Sequence, residues 1–259
     1  MPSLLAATPR GKSSTVPESP VALRILRTDS LDDGDSRLAS LLDDVEVTRA
    51  RAFRVAADRK SYIGAHALLR VLLSDATGGT RAPQSWRFEA GPRGKPALAA
   101  GPAFNLSHCR GMVAVAVARD VEIGVDVEAL ARSDFDEDAI AQSTFHAAER
   151  ERLSHIEDAS RRKAAFLATW TSKEALVKAI GEGLSMPLDG FAVDLERIRY
   201  EHGAAREWRL QRWELPGHVV ALASPYGTRV ECRESSWDDS RGVFVHGEHV
   251  TAVQPEGAR

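Results

Sequence analysis

The sequence has few cysteines, no strong excess of charge of either sign and no long apolar segment. Its 259 residues include only two cysteines, Cys109 and Cys232, which are too few for a disulfide framework or a cysteine zinc site. Reduced thiols in the cytoplasm are the expected state. The formal net charge is −3, so no global basic field points to a nucleic-acid partner. No apolar run approaches the ~20 residues that a membrane span needs.

What the sequence does contain is typical of a globular protein, because 43% of its residues are hydrophobic and 27% are charged. Residues 1–20 are rich in Pro, Ser and Thr and are predicted to be a disordered leader. After them, an order of strand, helices and strands occurs twice. We therefore predict an α+β fold with an N-terminal half over residues 21–120 and a C-terminal half over residues 121–259.

Residues 166–188 are predicted to form a helix that ends at glycine. Gly181 and Gly183 supply the stop and Pro187 follows them, which is the usual chemistry of a helix end. The segment is informative because its charged residues fall on an unexpected side of the helix.

Glu174 and Lys178 follow Trp170 at spacings of four residues, and Lys173 lies within about 100° of Glu174 on a helical wheel. The largest apolar residues share this side, whereas a surface helix would separate them from its charges. Charges on a face that is to be buried need partners. Two interpretations stay open: Lys173, Glu174 and Lys178 line a polar site, or Glu174 and Lys178 form an ordinary ion pair along the helix.

Residues 121–128 alternate as a strand. Ile123 and two valines face one way, whereas Gly124, Asp126 and Glu128 face the other. Two carboxylates on one strand face can converge on a hard cation, and Gly124 would leave room for a ligand. A solvent-facing acidic strand is the competing interpretation.

Other segments supply basic and polar groups. Arg49 lies on a predicted basic helix, which is either a solvated face or a phosphate clamp. A glycine-bearing turn presents Arg93 and Lys95, which suits an anion. Ser107 and His108 end a predicted strand, where a core histidine is the competing interpretation. No G-x-S-x-G motif accompanies them, which argues against a serine hydrolase.

These groups indicate phosphoryl or pyrophosphate chemistry. Asp126, Glu128 and Glu174 offer three carboxylates from separate positions, and oxygen ligands with an incomplete shell suit Mg²⁺ that also binds substrate phosphate. The surrounding cations suit a polyphosphate substrate. Catalysis in this reaction class depends on positioning and charge neutralisation.

Four motifs occur in order: GKP at 94–96, FNLSH at 104–108, GVDVE at 124–128 and WTSKEALVKAIGEGLSMPL at 170–188. Together they resemble the Sfp-type 4′-phosphopantetheinyl transferases. The resemblance implies transfer of the phosphopantetheine arm of coenzyme A to a serine of an apo acyl or peptidyl carrier protein, with release of adenosine 3′,5′-bisphosphate. It also implies two pseudo-symmetric α+β halves with the active site in the cleft between them.

The resemblance assigns roles to individual residues. Asp126, Glu128 and Glu174 would be the Mg²⁺ ligands. Glu174, or a water held by it, would take the serine proton, and Lys178 would neutralise or protonate the leaving phosphate. The implied catalytic residues are therefore Glu174, Lys178 and Asp126.

A larger set of residues would bind the substrate. Lys173 would hold the pyrophosphate and Lys178 would contact the leaving phosphate. The Ser-His pair and the basic helix would bind the 3′-phosphate, and the basic turn would contact the adenine nucleotide. These residues are Arg49, Arg93, Lys95, Ser107, His108, Lys173 and Lys178. The sequence departs from the family pattern at Val127, which cannot donate a side-chain ligand, and at His66, where a longer basic residue is expected.

Two alternative functions remain: a Mg²⁺-dependent hydrolase of the coenzyme A pyrophosphate, and a non-catalytic protein that binds coenzyme A or a carrier. The intact carboxylates and Lys178 argue against the second. We expect a cytoplasmic monomer with no nucleic-acid or membrane partner. The carrier, of a polyketide or nonribosomal-peptide pathway, is expected to dock near residues 144–153 and 183–191, beside Glu174.

Overall fold

The computed structural model describes residues 20–91, 95–133, 136–193, 198–200 and 208–253. Helices and strands alternate along this range, which confirms the predicted α+β class. The helices are α1 Ser36–Ala39, α2 Asp44–Ala52, α3 Ala56–Ala76, α4 Glu137–Thr144, α5 Ala147–Ser154 and α6 Ala159–Ile180. Within these ranges, no helix is both long and apolar enough to cross a membrane.

Twelve strands are described. They are β1 Val21–Arg27, β2 Glu89–Ala90, β3 Pro96–Ala97, β4 Ala103–Cys109, β5 Met112–Ala118, β6 Gly124–Ala129, β7 Phe191–Val193, β8 Ile198–Tyr200, β9 Trp208–Leu215, β10 His218–Pro225, β11 Val230–Asp238 and β12 Val243–His249. A five-stranded sheet has the order β12-β11-β1-β5-β4, and a three-stranded antiparallel sheet has the order β6-β10-β9. In the larger sheet β1 and β11 are parallel, and the other neighbours are antiparallel.

The two sheets pack face to face, and the alternation of β5 shows how. Val113 and Val115 point into the cluster formed with α1–α3. Met112, Ala114 and Ala116 point the other way, into the core shared with β6 and β10. Because successive residues of a strand face opposite sides, β5 contributes side chains to both hydrophobic clusters. All seven of its residues are buried.

The outer face of the three-stranded sheet is covered by helices. Ala175, Leu176 and Ala179 of α6 pack against Ala221 and Ala223 of β10. A second cluster joins α4, α5 and the first half of α6 to Val219. The layers therefore run helices, large sheet, small sheet, helices. The face of β6 that carries Asp126 and Glu128 looks toward α6, and this placement creates the site.

The structure corrects or leaves open some expectations about organisation. The strand predicted at 86–89 is wrong, because Pro83–Ser85 forms a short 3-10 turn and β2 begins only at Glu89. β11 and β12 of the predicted C-terminal half join the sheet of the N-terminal half, so the boundary near residue 121 stays a prediction. Of the predicted leader, only Pro20 lies among the described residues.

Candidate active site

Helix α6 begins and ends as the sequence indicates. The Asp158 side chain caps its start by accepting a hydrogen bond from Arg161 N at 2.8 Å. It ends at Gly181, whose φ of 80° is left-handed and whose N–H donates to Val177 O. The predicted stop is confirmed.

Gly124 brings α6 against β6. A Cβ atom at this position would lie 2.1 Å from the carbonyl oxygen of Ala175 and 2.2 Å from the backbone nitrogen of Ala179. No side chain fits there, so the backbones of strand and helix touch. The prediction that Gly124 leaves room for a ligand is wrong, because the helix itself fills that room.

Asp126 lies at the centre of the site. Its Oδ1 accepts hydrogen bonds from Lys178 Nζ at 2.7 Å and from Ser107 Oγ at 2.8 Å. Lys178 Nζ also donates to Ser107 Oγ at 3.1 Å. Asp126 is 5% exposed, so a solvent-facing acidic strand is ruled out. The structure thus brings together three predicted site residues from β4, β6 and α6.

Glu128 lies two residues further along the same strand face and is also buried. Its Oε1 accepts from Arg132 Nη1 at 2.6 Å and from Trp170 Nε1 at 3.2 Å. Burial first, and then the charge of Asp126, raise the pKa of Glu128, while Arg132 opposes the rise. Arg132 is a site residue that sequence reasoning missed, because it lies in the turn after β6 and in none of the motifs.

Glu174 faces the same space from α6. Burial, followed by the charge of Asp126, raises its pKa, and the charge of Lys178 works against the rise. Lys178 gives its salt bridge to Asp126 instead, so the ordinary Glu174–Lys178 helix pair is not formed. Across the described ranges, the Glu174 carboxylate makes no hydrogen bond or ion pair, which leaves it available to an incoming group.

The three predicted metal ligands are neighbours but not an assembled ligand set. In the described part of the chain, no group of three His, Cys, Asp or Glu side chains is arranged to hold a metal ion. The chemistry of the donors nevertheless fits a hard cation. Asp126 Oδ2 is buried and has no hydrogen-bond partner among the described residues, and burial, followed by the charge of Asp126, raises the pKa values of Glu128 and Glu174.

The structure corrects the role of Lys173. Its side chain is fully buried, and Nζ forms a 2.8 Å salt bridge with Glu149 Oε2. Nζ also donates to Leu188 O at 2.7 Å and Phe191 O at 2.6 Å. An ammonium group has three donors, and all three are used. The predicted pyrophosphate contact of Lys173 is therefore wrong in this structure.

Lys95 holds the end of α6. Its Nζ donates to Lys178 O at 2.7 Å and to Ile123 O at 3.3 Å, and burial lowers its pKa. A cation at the carbonyl end of a helix is favourable. Lys95 is thus beside the site but tethers backbone, and its nucleotide contact stays a prediction. Arg93 lies outside the described residues.

His108 lies on β4 and Arg49 lies on α2. His108 is exposed at the end of β4, and partial desolvation, then the charges of His66 and Lys178, lower its pKa. The Arg49 guanidinium lies 5.8 Å from the Tyr62 ring centroid, and that ring lies 4.1 Å from His66. This row connects α2 to the surroundings of His108.

Comparison with known proteins gives these groups a context. The 4′-phosphopantetheinyl transferase superfamily matches residues 122–223, which include β6 and α6. The 4′-phosphopantetheinyl transferase HetI of Nostoc sp. is 33% identical over 163 residues, which cover 60% of this chain and 67% of HetI. The chain belongs to the 4′-phosphopantetheinyl transferase family. It is therefore a transferase that modifies carrier proteins with phosphopantetheine, as the motifs predict.

Other proteins are also similar to this transferase. A putative 4′-phosphopantetheinyl transferase of Synechocystis sp. is 29% identical over 180 residues, or 66% of this chain and 71% of the relative. Among solved structures, the holo-(acyl-carrier-protein) synthase of Bacillus anthracis is 18% identical and covers 40% of this transferase and 96% of that chain, with a TM-score of 0.35.

Proposed function

We propose that this transferase moves the phosphopantetheine group from coenzyme A to a serine of an apo carrier protein, in a Mg²⁺-dependent reaction that releases adenosine 3′,5′-bisphosphate. The observation that carries the proposal is the contact of Asp126 with Lys178 and Ser107, beside an unpartnered Glu174. The carboxylates of Asp126 and Glu174 and the ammonium group of Lys178 lie between β6 and α6, and such a set suits a substrate with a phosphoric anhydride bond.

In the proposed step, the carrier serine oxygen attacks the phosphorus that carries the pantetheine arm. A new P–O bond forms, and the P–O bond of the pyrophosphate breaks with its electron pair staying on the adenosine 3′,5′-bisphosphate. Glu174, directly or through a water, takes the serine proton. Its raised pKa supports this role, because a general base works best when its pKa approaches the working pH.

Lys178 is proposed to stabilise the leaving phosphate. Its side chain is 28% exposed, so it can reach a substrate group while keeping one contact with Asp126. Positive charge placed where negative charge develops lowers the barrier of phosphoryl transfer.

Asp126, Glu128 and Glu174 would hold the metal ion. The unpartnered Asp126 Oδ2 is the observation that supports this assignment. Bound Mg²⁺ would supply neutralisation of the pyrophosphate charge. The positive charge of the ion would offset the burial and the charge of Asp126, which raise the pKa values of Glu128 and Glu174.

The nucleotide end of coenzyme A is proposed to lie along Ser107 and His108, with Arg49 binding the 3′-phosphate. The row of Arg49, Tyr62 and His66 supports this position. Lys95 and Arg93 are proposed to contact the nucleotide from the β2–β3 side.

We propose that the partner is an apo acyl or peptidyl carrier of polyketide or nonribosomal-peptide synthesis, and that the protein acts as a cytoplasmic monomer. The carrier would dock on the side of residues 144–153 and 183–191, because its serine must reach Glu174. Nucleic acid and membrane have no part in the proposal.

Intact-mass spectrometry of several apo-carriers tests the function. Each carrier is incubated with the protein, coenzyme A and Mg²⁺, with and without a chelator. We expect a carrier to gain the mass of one phosphopantetheine group only when metal is present. Release of free phosphopantetheine with no mass gain would instead identify a hydrolase, and no product at all would identify a binding protein.

A further inference from the structure

We propose that Arg132 is an internal counter-cation of Glu128 that competes with the divalent cation and thereby sets the metal affinity of the site. The inference rests on the proposed function, because it concerns the same carboxylates. It explains why three predicted ligands are neighbours and yet are not arranged as a ligand set.

The geometry joins the two side chains closely. Arg132 Nη1 lies 2.6 Å from Glu128 Oε1, which is a short charge-assisted contact. The Glu128 side chain is 11% exposed and that of Arg132 is 36% exposed. The carboxylate is therefore fixed inside, whereas the guanidinium reaches it from the rim, where water can take its place.

The backbone beneath Arg132 is anchored while its side chain reaches inward. Arg132 N donates to Ala129 O at 3.0 Å, and Leu130 N donates to Gly217 O at 2.9 Å. Lys163 Nζ from α6 donates to Arg132 O. These bonds hold the turn against β10 and α6 whether or not the guanidinium touches Glu128, so the guanidinium can move without moving the site.

The charges of the site require such a cation when no metal is bound. Glu128 shares its strand face with Asp126, whose charge adds to the burial that raises the pKa of Glu128, and Arg132 opposes both. Lys178 likewise neutralises the charge of Asp126 through a salt bridge to Oδ1. The two carboxylates of β6 thus each hold one protein cation.

A divalent ion on Glu128 would meet the guanidinium as a like charge only a few ångströms away. Such repulsion is strong in a partly buried site, so the guanidinium weakens binding of the ion at Glu128. Trp170 Nε1 donates to the same oxygen at 3.2 Å and carries no charge, so it does not oppose the metal.

Titration of the coenzyme A-free protein with Mn²⁺, followed by electron paramagnetic resonance of the free ion, tests the inference. Mn²⁺ takes the oxygen ligands that suit Mg²⁺. We expect Arg132→Gln to bind Mn²⁺ about tenfold more tightly than wild type, because one positive charge leaves the site. Arg132→Lys keeps the charge and should stay within about twofold of wild type.

Arg162→Gln is the matched control, since it removes the same charge from a surface pair with Asp138 and should leave Mn²⁺ affinity unchanged. Equal affinity of Arg132→Gln and wild type, including no measurable binding by either, would overturn the inference. Tight binding by the variant without any carrier modification by wild type would keep the counter-cation and reject the transferase mechanism. Carrier modification by wild type, together with equal Mn²⁺ affinity of Arg132→Gln and wild type, would reject the counter-cation and keep the transferase mechanism.

Discussion

Two lysines on one helix meet opposite surroundings. Lys173 has no exposed surface, and its ammonium group uses all three donors within the protein. Lys178, five residues later, is about a quarter exposed and shares Asp126 with Ser107. The first pair is closed and fully satisfied, whereas the second leaves Asp126 Oδ2 with no partner in the described structure.

Lys173 and Glu149, the closed pair, stabilise the fold, whereas Lys178 and Asp126, the open pair, remain available to a ligand. A buried ion pair with every donor and acceptor used holds elements in one arrangement. Glu149 shows this, because its Oε1 also accepts from Val193 N at 2.8 Å and thus ties α5 and β7 to α6. A buried ion pair in which one carboxylate oxygen has no partner can still bind a ligand through that oxygen.

The largest expected effect is on the open pair. Asp126→Ala should lower carrier modification by about a thousandfold or more, because it removes a proposed metal ligand and the partner of Lys178. The rate of mass gain by the carrier measures it. Glu137→Ala, which removes a carboxylate paired with Lys163 at 3.5 Å, is the control. A wild-type rate for Asp126→Ala would reject the mechanism.

The closed pair should respond in stability. Lys173→Met leaves the Glu149 charge buried and should lower the free energy of unfolding by about 4 kcal/mol, as measured by urea denaturation. Adding Glu149→Gln removes that charge and keeps an acceptor for Val193 N, so part of the stability should return. If Lys173→Met instead leaves stability unchanged and weakens coenzyme A binding, the pyrophosphate role would be restored.

Gly124→Ala tests the contact that puts both lysines in place. The added methyl group meets helix backbone, so we expect a loss of about 3 kcal/mol in the free energy of unfolding and slower transfer. Gly64→Ala is the control, since the nearest neighbours of its methyl group are the side-chain ends of Leu31, Leu26 and Thr28 and not backbone atoms. Equal stability of the two variants would mean that α6 can move away freely.

The smallest expected effect on stability concerns Glu174. Its raised pKa means that the folded protein binds this proton more readily than the unfolded chain, so stability falls as pH rises above the ordinary value of 4.5. Glu174→Gln should therefore raise the free energy of unfolding at neutral pH by about 1 kcal/mol while abolishing transfer.

Urea denaturation across the pH range checks this prediction. The advantage of Glu174→Gln should shrink as the pH approaches 4.5, and Glu157→Gln on the exposed surface should show no such trend. A variant that is less stable than wild type at neutral pH would contradict the raised pKa.

Local signals predicted the local structure well. The apolar alternation of residues 21–27 is a local pattern that predicts a strand, and the structure forms β1 with these bounds. The end of α6 at Gly181 is likewise local. The strand expected at Trp86 failed because Pro83 starts a 3-10 turn, after which the Trp86 ring packs inward and donates to Ser74 Oγ at 3.0 Å.

The site was predictable only where its residues sit in motifs. Asp126, Ser107 and Lys178 belong to three motifs whose order indicates that they meet. The pyrophosphate role of Lys173 came from the family resemblance, and neither the motif nor a helical wheel reveals its partner Glu149, which lies on another helix. Arg132 and the tether formed by Lys95 depend on turns and carbonyl groups, which leave no side-chain pattern in the sequence.

The parallel pairing of β1 with β11 has a consequence for the making of the protein. Arg24 of β1 donates to Glu231 O across 207 residues of sequence. A ribosome therefore releases β1 long before its parallel neighbour exists, and until then that edge is open to other strands. β1 can pair with β11 only after most of the chain has been synthesised. We therefore expect closure of the five-stranded sheet to be a late, slow step of folding, and we expect chains ending before Val230 to aggregate.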